Sequence, residues 1–309
     1  MNVASLKIPS PIEKVAHPFL VEKGVTLFVK REDQIHPEIS GNKWRKLKYN
    51  LVEARENQIS TLITFGGAFS NHVYAFAAAC SILDFEGIVI IRGEADLDNP
   101  TTNFALSKGM TLHYVSREAY KAKEESEEIK AIISQYKKHL IIPEGGSNDA
   151  AIIGVRELAH EINETDFDAV LVALGTGGTC RGLLKHLDTE KTVLGYSSLK
   201  SDYHKNELAQ TIAPDRMKRF LYNTDYHFGG YGKTTPSLIN FINDFYIQTN
   251  IPLDPIYNAK VISGFFDQIE QGKIDDTSKT YLWVHTGGLQ GIASYNYMAA
   301  KKKKPLIEF

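Results

Sequence analysis

Cysteine is scarce in this 309-residue chain: Cys80 and Cys180 are the only two. Two cysteines make neither a disulfide framework nor a zinc-ligand spacing, so the expectation is a reducing, cytoplasmic compartment. Long hydrophobic runs are also missing. The longest, such as Ala169 to Leu174, fall far short of a membrane span, and the N-terminal stretch MNVASLKIPSPIEKV has no apolar core of signal-peptide length. Charge of one sign is not in excess: 35 basic and 37 acidic residues leave a net −2. A dedicated nucleic-acid binder would normally carry a basic surplus, so the balance argues against that class while leaving room for a local basic pocket. No carboxylate or histidine cluster has metal spacing, because His160-Glu161 is followed by Glu164 where HExxH needs its second histidine. No metal is expected. No repeat or low-complexity linker marks a domain boundary, and the KKKK run at 301–304 reads as a solvated tail segment.

Short apolar runs alternate with helical patterns instead. Thr61 to Phe65, Gly87 to Ile91, Thr111 to Val115, Leu140 to Ile142, Ala169 to Leu174 and Thr192 to Tyr196 read as strands. Between them, Asn71 to Ser81, Thr101 to Lys108, Glu118 to Lys138, Asp149 to Ile162 and Arg181 to Leu187 read as helices. Strands apolar on both faces and separated by helices indicate an α/β chain with parallel sheets covered on both sides. In such sheets ligands bind beyond the carboxyl ends of the strands.

Two loops after strands are rich in special residues. Gly66-Gly67-Ala68-Phe69-Ser70-Asn71-His72 combines sharp-turning glycines with candidate helix caps, and it reads either as a plain capped turn or as a helix N-terminus suited to an anion. Gly175-Thr176-Gly177-Gly178-Thr179-Cys180-Arg181-Gly182 brings open N–H groups, hydroxyls and a helix dipole together, which is the chemistry of a phosphate cradle. No Gly-Lys-Ser/Thr follows, and Cys180 stands where a dinucleotide fingerprint needs its third glycine. A phosphorylated cofactor or sugar therefore fits better than a nucleotide; the bland alternative is a tight turn.

Lys43 lies in "SGNKWRKL", after the turn-like Ser40-Gly41-Asn42 and before a helical stripe through Trp44, Leu47, Leu51 and Ala54. At about 100° per residue, Arg45 and Lys46 point away from that stripe while Lys43 lies on its flank. A cation in a helix first turn opposes the dipole, and half-burial beside other cations would lower its pKa and favour an amine nucleophile. A phosphate loop with an activated lysine suggests pyridoxal 5'-phosphate; a merely exposed lysine is the alternative.

Taken together, "SGNKWRKL" (40–47), "SNH" (70–72), "GTGGT" (175–179), "DPIY" (254–257) and "HTGG" (285–288) resemble the 1-aminocyclopropane-1-carboxylate (ACC) deaminase / D-cysteine desulfhydrase family. These are fold type II pyridoxal phosphate enzymes, tryptophan synthase β-like, with two three-layer αβα domains. The resemblance implies a large cofactor domain of residues 1–45 and 156–309, a smaller mobile domain of 46–155, and a homodimer. It makes Lys43 the Schiff-base lysine, with Lys46 nearby. Gly175, Thr176, Gly177, Gly178 and Thr179 would hold the phosphate, Asn71 the phenolic oxygen, and Tyr257 would stack on the ring. Ser70, Asn71 and His72 would take the carboxylate of a small amino-acid substrate. Tyr231, in "GGYGK", is the candidate second active-site tyrosine, although its surroundings depart from the family's "YGxPN".

Members resembling ACC deaminases carry Glu after the "DPxY" tyrosine and Leu after the late histidine. Here those places hold Asn258 and Thr286. A neutral Asn258 cannot keep the pyridine nitrogen protonated, so the ring would be a weaker electron sink. Such a sink serves β-elimination of a thiolate better than opening of a cyclopropane. The expectation is D-cysteine desulfhydrase-like chemistry giving pyruvate, sulfide and ammonia. ACC deaminase, a racemase or dehydratase of the same fold, and a non-catalytic phosphate-ligand binder are the alternatives.

Overall fold

The computed structural model describes residues 6–309; residues 1–5, the start of the N-terminal stretch read above for an export signal, lie outside the described residues. The chain forms two compact units. One comprises His36–Ile39 and Lys43–Gly154, the other Lys7–Ile35, Ser40–Asn42 and Val155–Phe309.

In the first unit four strands pair in parallel in the order Thr111–Val115, Glu86–Arg92, Thr61–Gly67, His139–Ile142. The two central strands are apolar and buried along nearly their whole length, as expected where helices cover both faces. Asn71–Ile82 is one covering helix, alanine-rich and buried from His72 to Cys80. The expected single helix from Glu118 to Lys138 is corrected to two, Arg117–Ala122 and Glu127–Ile133. The break falls at Lys123, whose φ is +53°. Its amine pairs with Glu144 at 2.8 Å and lies 3.4 Å from the Tyr120 ring centre, so a cation–π contact and an ion pair hold the residue out of helical geometry.

In the second unit five strands run parallel in the order Thr26–Lys30, Thr280–Val284, Ala169–Leu174, Thr192–Ser197, Phe220–Asn223, and Ile12–Lys14 adds an antiparallel edge. Ala169–Leu174 has every residue buried. The strand Thr280–Val284 (TYLWV) joins it to Thr26–Lys30 and carries the fully buried Trp283; neither of these two strands was among those expected from sequence. Residues of the helix Asn258–Glu270, including Val261, Ile262, Phe265 and Ile269, pack in the core on one side of this sheet. On the other, Leu183 and Leu184 pack with Val155, Leu158 and Ile162. Both units are thus sheets whose strand ends open onto the loops singled out above. Cys80 and Cys180 are free and buried, and burial pushes both thiols up.

Candidate active site

In the first unit Lys43 is the second residue of the helix Asn42–Glu56 and is half-buried. Trp44, Leu47, Leu51 and Ala54 are buried as their periodicity predicts, each large side chain contributing about 1.5–3 kcal/mol. Arg45 and Lys46 are buried too, at 0% and 3% exposure. The expectation that they point away from the apolar stripe does not place them in solvent, because this helix is enclosed on more than one side. Arg45 lies where Gly154 crosses: a Cβ on Gly154 would meet the Arg45 carbonyl oxygen at 1.7 Å. Lys46 donates to the Gly145 carbonyl at 3.1 Å and to the Ser147 hydroxyl at 3.2 Å, so it secures the loop after the strand His139–Ile142. Asn50 and Asn148 exchange amide bonds beside it.

Ser70 caps the helix Asn71–Ile82. Its Oγ accepts from the N–H of His72 at 3.2 Å and of Val73 at 3.4 Å, which leaves the hydroxyl proton available to a further acceptor. Asn71 opens the helix. His72 turns inward and is 2% exposed. The Thr64 hydroxyl donates to the Ile142 carbonyl at 2.8 Å, so it must accept from His72 Nε2–H, also at 2.8 Å. That fixes the neutral Nε2–H form, and Nδ1 is buried without a hydrogen-bond partner. Burial first, then the cations of Lys43 and Lys46, lower the His72 pKa to about 3.

In the second unit the strand Ala169–Leu174 runs into Gly175, and the helix Gly178–His186 begins inside the glycine run, earlier than the expected Arg181. Its cap residue is Gly177, at φ +76°, which has no side chain to accept from the first-turn N–H groups. Tyr257 covers the loop's entry: a Cβ on Gly175 would stand 2.7 Å from its ring. Tyr257 donates to the Tyr231 hydroxyl at 3.1 Å. Asn42 donates from its amide to the Thr179 hydroxyl at 2.8 Å, and its backbone N–H reaches the Thr286 carbonyl at 3.2 Å. The Ser40–Asn42 turn can approach Thr286 so closely because Gly41, at φ +68°, has no Cβ; one would sit 2.0 Å from that carbonyl.

Asp254 organises the "DPIYN" segment. Its carboxylate accepts from the N–H groups of Ile256, Tyr257 and Asn258 and from the Asn258 amide, at 2.6–3.0 Å. Burial raises its pKa, opposed by these donors, all of which suit the ionised form. Asn258 is committed on both sides: its amide donates to Asp254 and to the Gly287 carbonyl at 2.9 Å, and its oxygen accepts from Trp283 Nε1 at 3.2 Å and Thr286 N at 3.1 Å. The Thr286 hydroxyl is only 3.4–3.5 Å from that amide, a weak contact. His285 accepts from Gly287 N at Nδ1 and bonds the Pro252 carbonyl through Nε2, which suits the Nε2–H form.

The second unit thus brings together Gly175, Thr179, Tyr231, Tyr257, Asn258 and Thr286, and the first brings Lys43 and Lys46 near His72. Sequence reasoning gave no role to Asn42, Asp254 or His285. An aspartate four residues before a helix start carried a capping signal that could have marked Asp254; the Asn42 amide looked like any turn residue. Among the described residues no His, Cys, Asp or Glu group could hold a metal ion, and no helix is long and apolar enough to cross a membrane. The donors of the second unit suit pyridoxal phosphate: a helix start whose cap residue is a glycine, for a phosphate, an aromatic ring over the loop, and the neutral Asn258 and Thr286.

Residues 6–287 match the family model described as "Pyridoxal-phosphate dependent enzyme". A protein of Pyrococcus furiosus named "Putative 1-aminocyclopropane-1-carboxylate deaminase" is 31% identical over 293 residues, 88% of this chain and 87% of that one. The mitochondrial "Bifunctional D-cysteine desulfhydrase/1-aminocyclopropane-1-carboxylate deaminase" of Arabidopsis thaliana is 30% identical over 320 residues, 92% of this chain and 77% of that one. A crystal structure of an ACC deaminase homologue superposes with TM-score 0.80 at 27% identity, covering 97% of this chain and 94% of that one.

Proposed function

The chain belongs to the pyridoxal-phosphate dependent enzyme family, with ACC deaminase and D-cysteine desulfhydrase homologues, and from that premise we propose that it eliminates the β-substituent of a small D-amino acid, D-cysteine first among them, the elimination product then taking up water to give pyruvate and ammonia beside the released sulfide. The family match over residues 6–287 sets aside the reading as a non-catalytic phosphate binder.

Pyridoxal phosphate, when bound, supplies an electron-withdrawing ring that stabilises negative charge at the substrate's α-carbon. The Gly175–Thr179 loop would hold its phosphate, Lys43 its carbonyl carbon and Asn71 its phenolic oxygen, with Tyr257 beside the ring. Lys43, half-buried, takes the α-proton once its amine is free. Ser70, with its oxygen engaged as a cap, offers its proton to the substrate carboxylate. His72 contributes through the shape of the turn, since its imidazole is enclosed and neutral. The Tyr257–Tyr231 hydroxyl pair can deliver a proton to the departing sulfur.

The observation that carries the choice of reaction is the commitment of Asn258. Four bonds hold this uncharged amide immobile, with the Thr286 hydroxyl a further, weaker neighbour at 3.4 Å. A pyridine nitrogen placed against Asn258 and Thr286 would not be held protonated, which would favour expulsion of a good leaving group such as thiolate. The names of the 30–31% identical relatives support a second reading, ACC deaminase activity giving 2-oxobutanoate and ammonia. The cofactor-loaded protein should release pyruvate and sulfide from D-cysteine faster than 2-oxobutanoate from ACC. Faster 2-oxobutanoate release would replace the first reading with the second, and α-proton exchange without elimination would replace both with a racemase. The same reading carries a large and a small domain with boundaries near residues 45 and 155, a homodimer and a cytoplasmic location; light scattering on the purified protein tests the dimer.

A further inference from the structure

We infer that Lys260 is a positioning residue for Tyr231: it fixes the glycine-rich segment that carries this tyrosine by bonding two of its main-chain carbonyls. The inference rests on the proposed role of Tyr231. Lys260 lies in the first turn of the helix Asn258–Glu270 and is 2% exposed. Its amine donates to the His227 carbonyl at 2.9 Å and to the Gly230 carbonyl at 3.0 Å.

Beside Lys260, the segment is defined by Phe228, which packs against the core, and by the Gly229 N–H, which donates to His227 Nδ1 at 2.8 Å. Phe228, Gly229 and Gly230 have φ of +51°, +96° and +118°. The two glycines take such angles as one choice among many, while Phe228 holds one that side-chain-bearing residues rarely adopt, so fixing the path carries an entropic cost. The same two carbonyls close the segment's own turns, with Gly230 N–H on His227 at 3.0 Å and Lys233 N–H on Gly230 at 3.1 Å. Lys260 therefore clamps both turns at once. Tyr231, the next residue, is more than half exposed and receives the Tyr257 hydroxyl.

Residues 257–260 thus serve Tyr231 twice, once through the Tyr257 hydroxyl and once through the Lys260 amine. Asp254, which caps the same helix, faces Lys260 as an opposite charge, but burial dominates and lowers the amine pKa to about 8. A buried amine without a close carboxylate is held at a cost to stability, and an apolar side chain of similar length would fill its place more cheaply. A role in stability alone predicts that losing the amine leaves the segment in place; a positioning role predicts that the segment loosens while the fold holds.

The test uses cofactor-loaded full-length protein in a double-mutant cycle of Lys260→Met and Tyr231→Phe, read by kcat and KM for the better of D-cysteine and ACC. Lys260→Met should lower kcat about tenfold with KM within about twofold, and in the Tyr231→Phe background its effect should shrink to under about twofold. A second readout needs no turnover. Amide hydrogen exchange across residues 227–233 should quicken about tenfold or more in Lys260→Met, with the strand Thr280–Val284 unchanged. Lys260→Gln, whose amide can still donate, should restore part of both effects and carries the cycle if the methionine variant fails to fold. Additive effects, or unchanged exchange at 227–233, would overturn the assignment. Wild-type protein inactive on both substrates would sink the proposed function instead, while the exchange measurement would still decide the role of Lys260.

Discussion

Two glycine-bearing strand-to-helix turns, Gly66–Asn71 and Gly175–Gly178, are finished differently. At Gly66–Asn71 the helix start is closed from within, because Ser70 accepts the N–H groups of His72 and Val73. At Gly175–Gly178 the cap position is a glycine, and no side chain of that residue can do the same. Similar composition therefore gives one turn whose first-turn donors are occupied and one whose donors call for an external acceptor. A dianionic phosphate gains most at the second. The first can still engage a carboxylate, but through the Ser70 hydroxyl and the residue before the occupied donors.

The largest effect should come from the residue that joins neither turn. Lys43→Ala should reduce turnover by about a thousandfold or more, as expected when the covalent anchor and base are lost together. It should also remove the lysine-linked cofactor absorbance while leaving the phosphate turn intact. Next, Gly175→Ala drives a methyl into the Tyr257 ring and should weaken pyridoxal phosphate binding about tenfold or more, measured by absorbance titration. Ser70→Ala should leave that affinity within about twofold and instead raise KM for the amino acid. Equal losses of cofactor affinity in these two variants would erase the distinction between the turns.

A third prediction concerns pH. The folded His72 pKa, about 3, lies below its unfolded value of 6.5. Between those values the unfolded chain binds the extra proton. The His72 contribution is therefore complete above pH 6.5 and is lost as pH falls toward 3, at a slope approaching about 1.4 kcal/mol per pH unit. Urea unfolding at pH 7 and pH 5 should show a shallower acid loss in His72→Gln than in the parent protein. Equal slopes would place His72 in contact with water or an unseen acceptor. The smallest expected effect is on stability in Ser70→Ala, about 1 kcal/mol for a lost cap, read from the same unfolding curves at pH 7.

The parts legible in the sequence are those governed by local pattern. TLITF and AVLVAL are apolar at every position because both sheet faces are covered, and both became buried strands. The stripe Trp44, Leu47, Leu51, Ala54 identified a buried helix face. The same periodicity misjudged Arg45 and Lys46, since a single stripe says nothing about what covers the remaining faces. The break at Lys123 is hidden because the helical pattern continues through it, and the Glu144 carboxylate that pairs with the lysine lies 21 residues further on. TYLWV has a strand's composition but is five residues long, and a short apolar run by itself does not separate a strand from a buried helical segment. Within the site, Asn258 and Thr286 stand out as single residues, but the bonds from Asn258 to Gly287, Trp283 and Thr286 join residues far apart in sequence. No local signal distinguishes Lys260 from an ordinary helix lysine.

The central claim is that Lys43 carries the cofactor. Borohydride reduction of the loaded protein, followed by proteolysis and mass mapping, tests it most directly. The account predicts a single pyridoxyl modification on Lys43, within the Ser40–Leu47 stretch. A modification on Lys46, Lys260 or any other lysine, or none at all in protein that retains the cofactor, would contradict it.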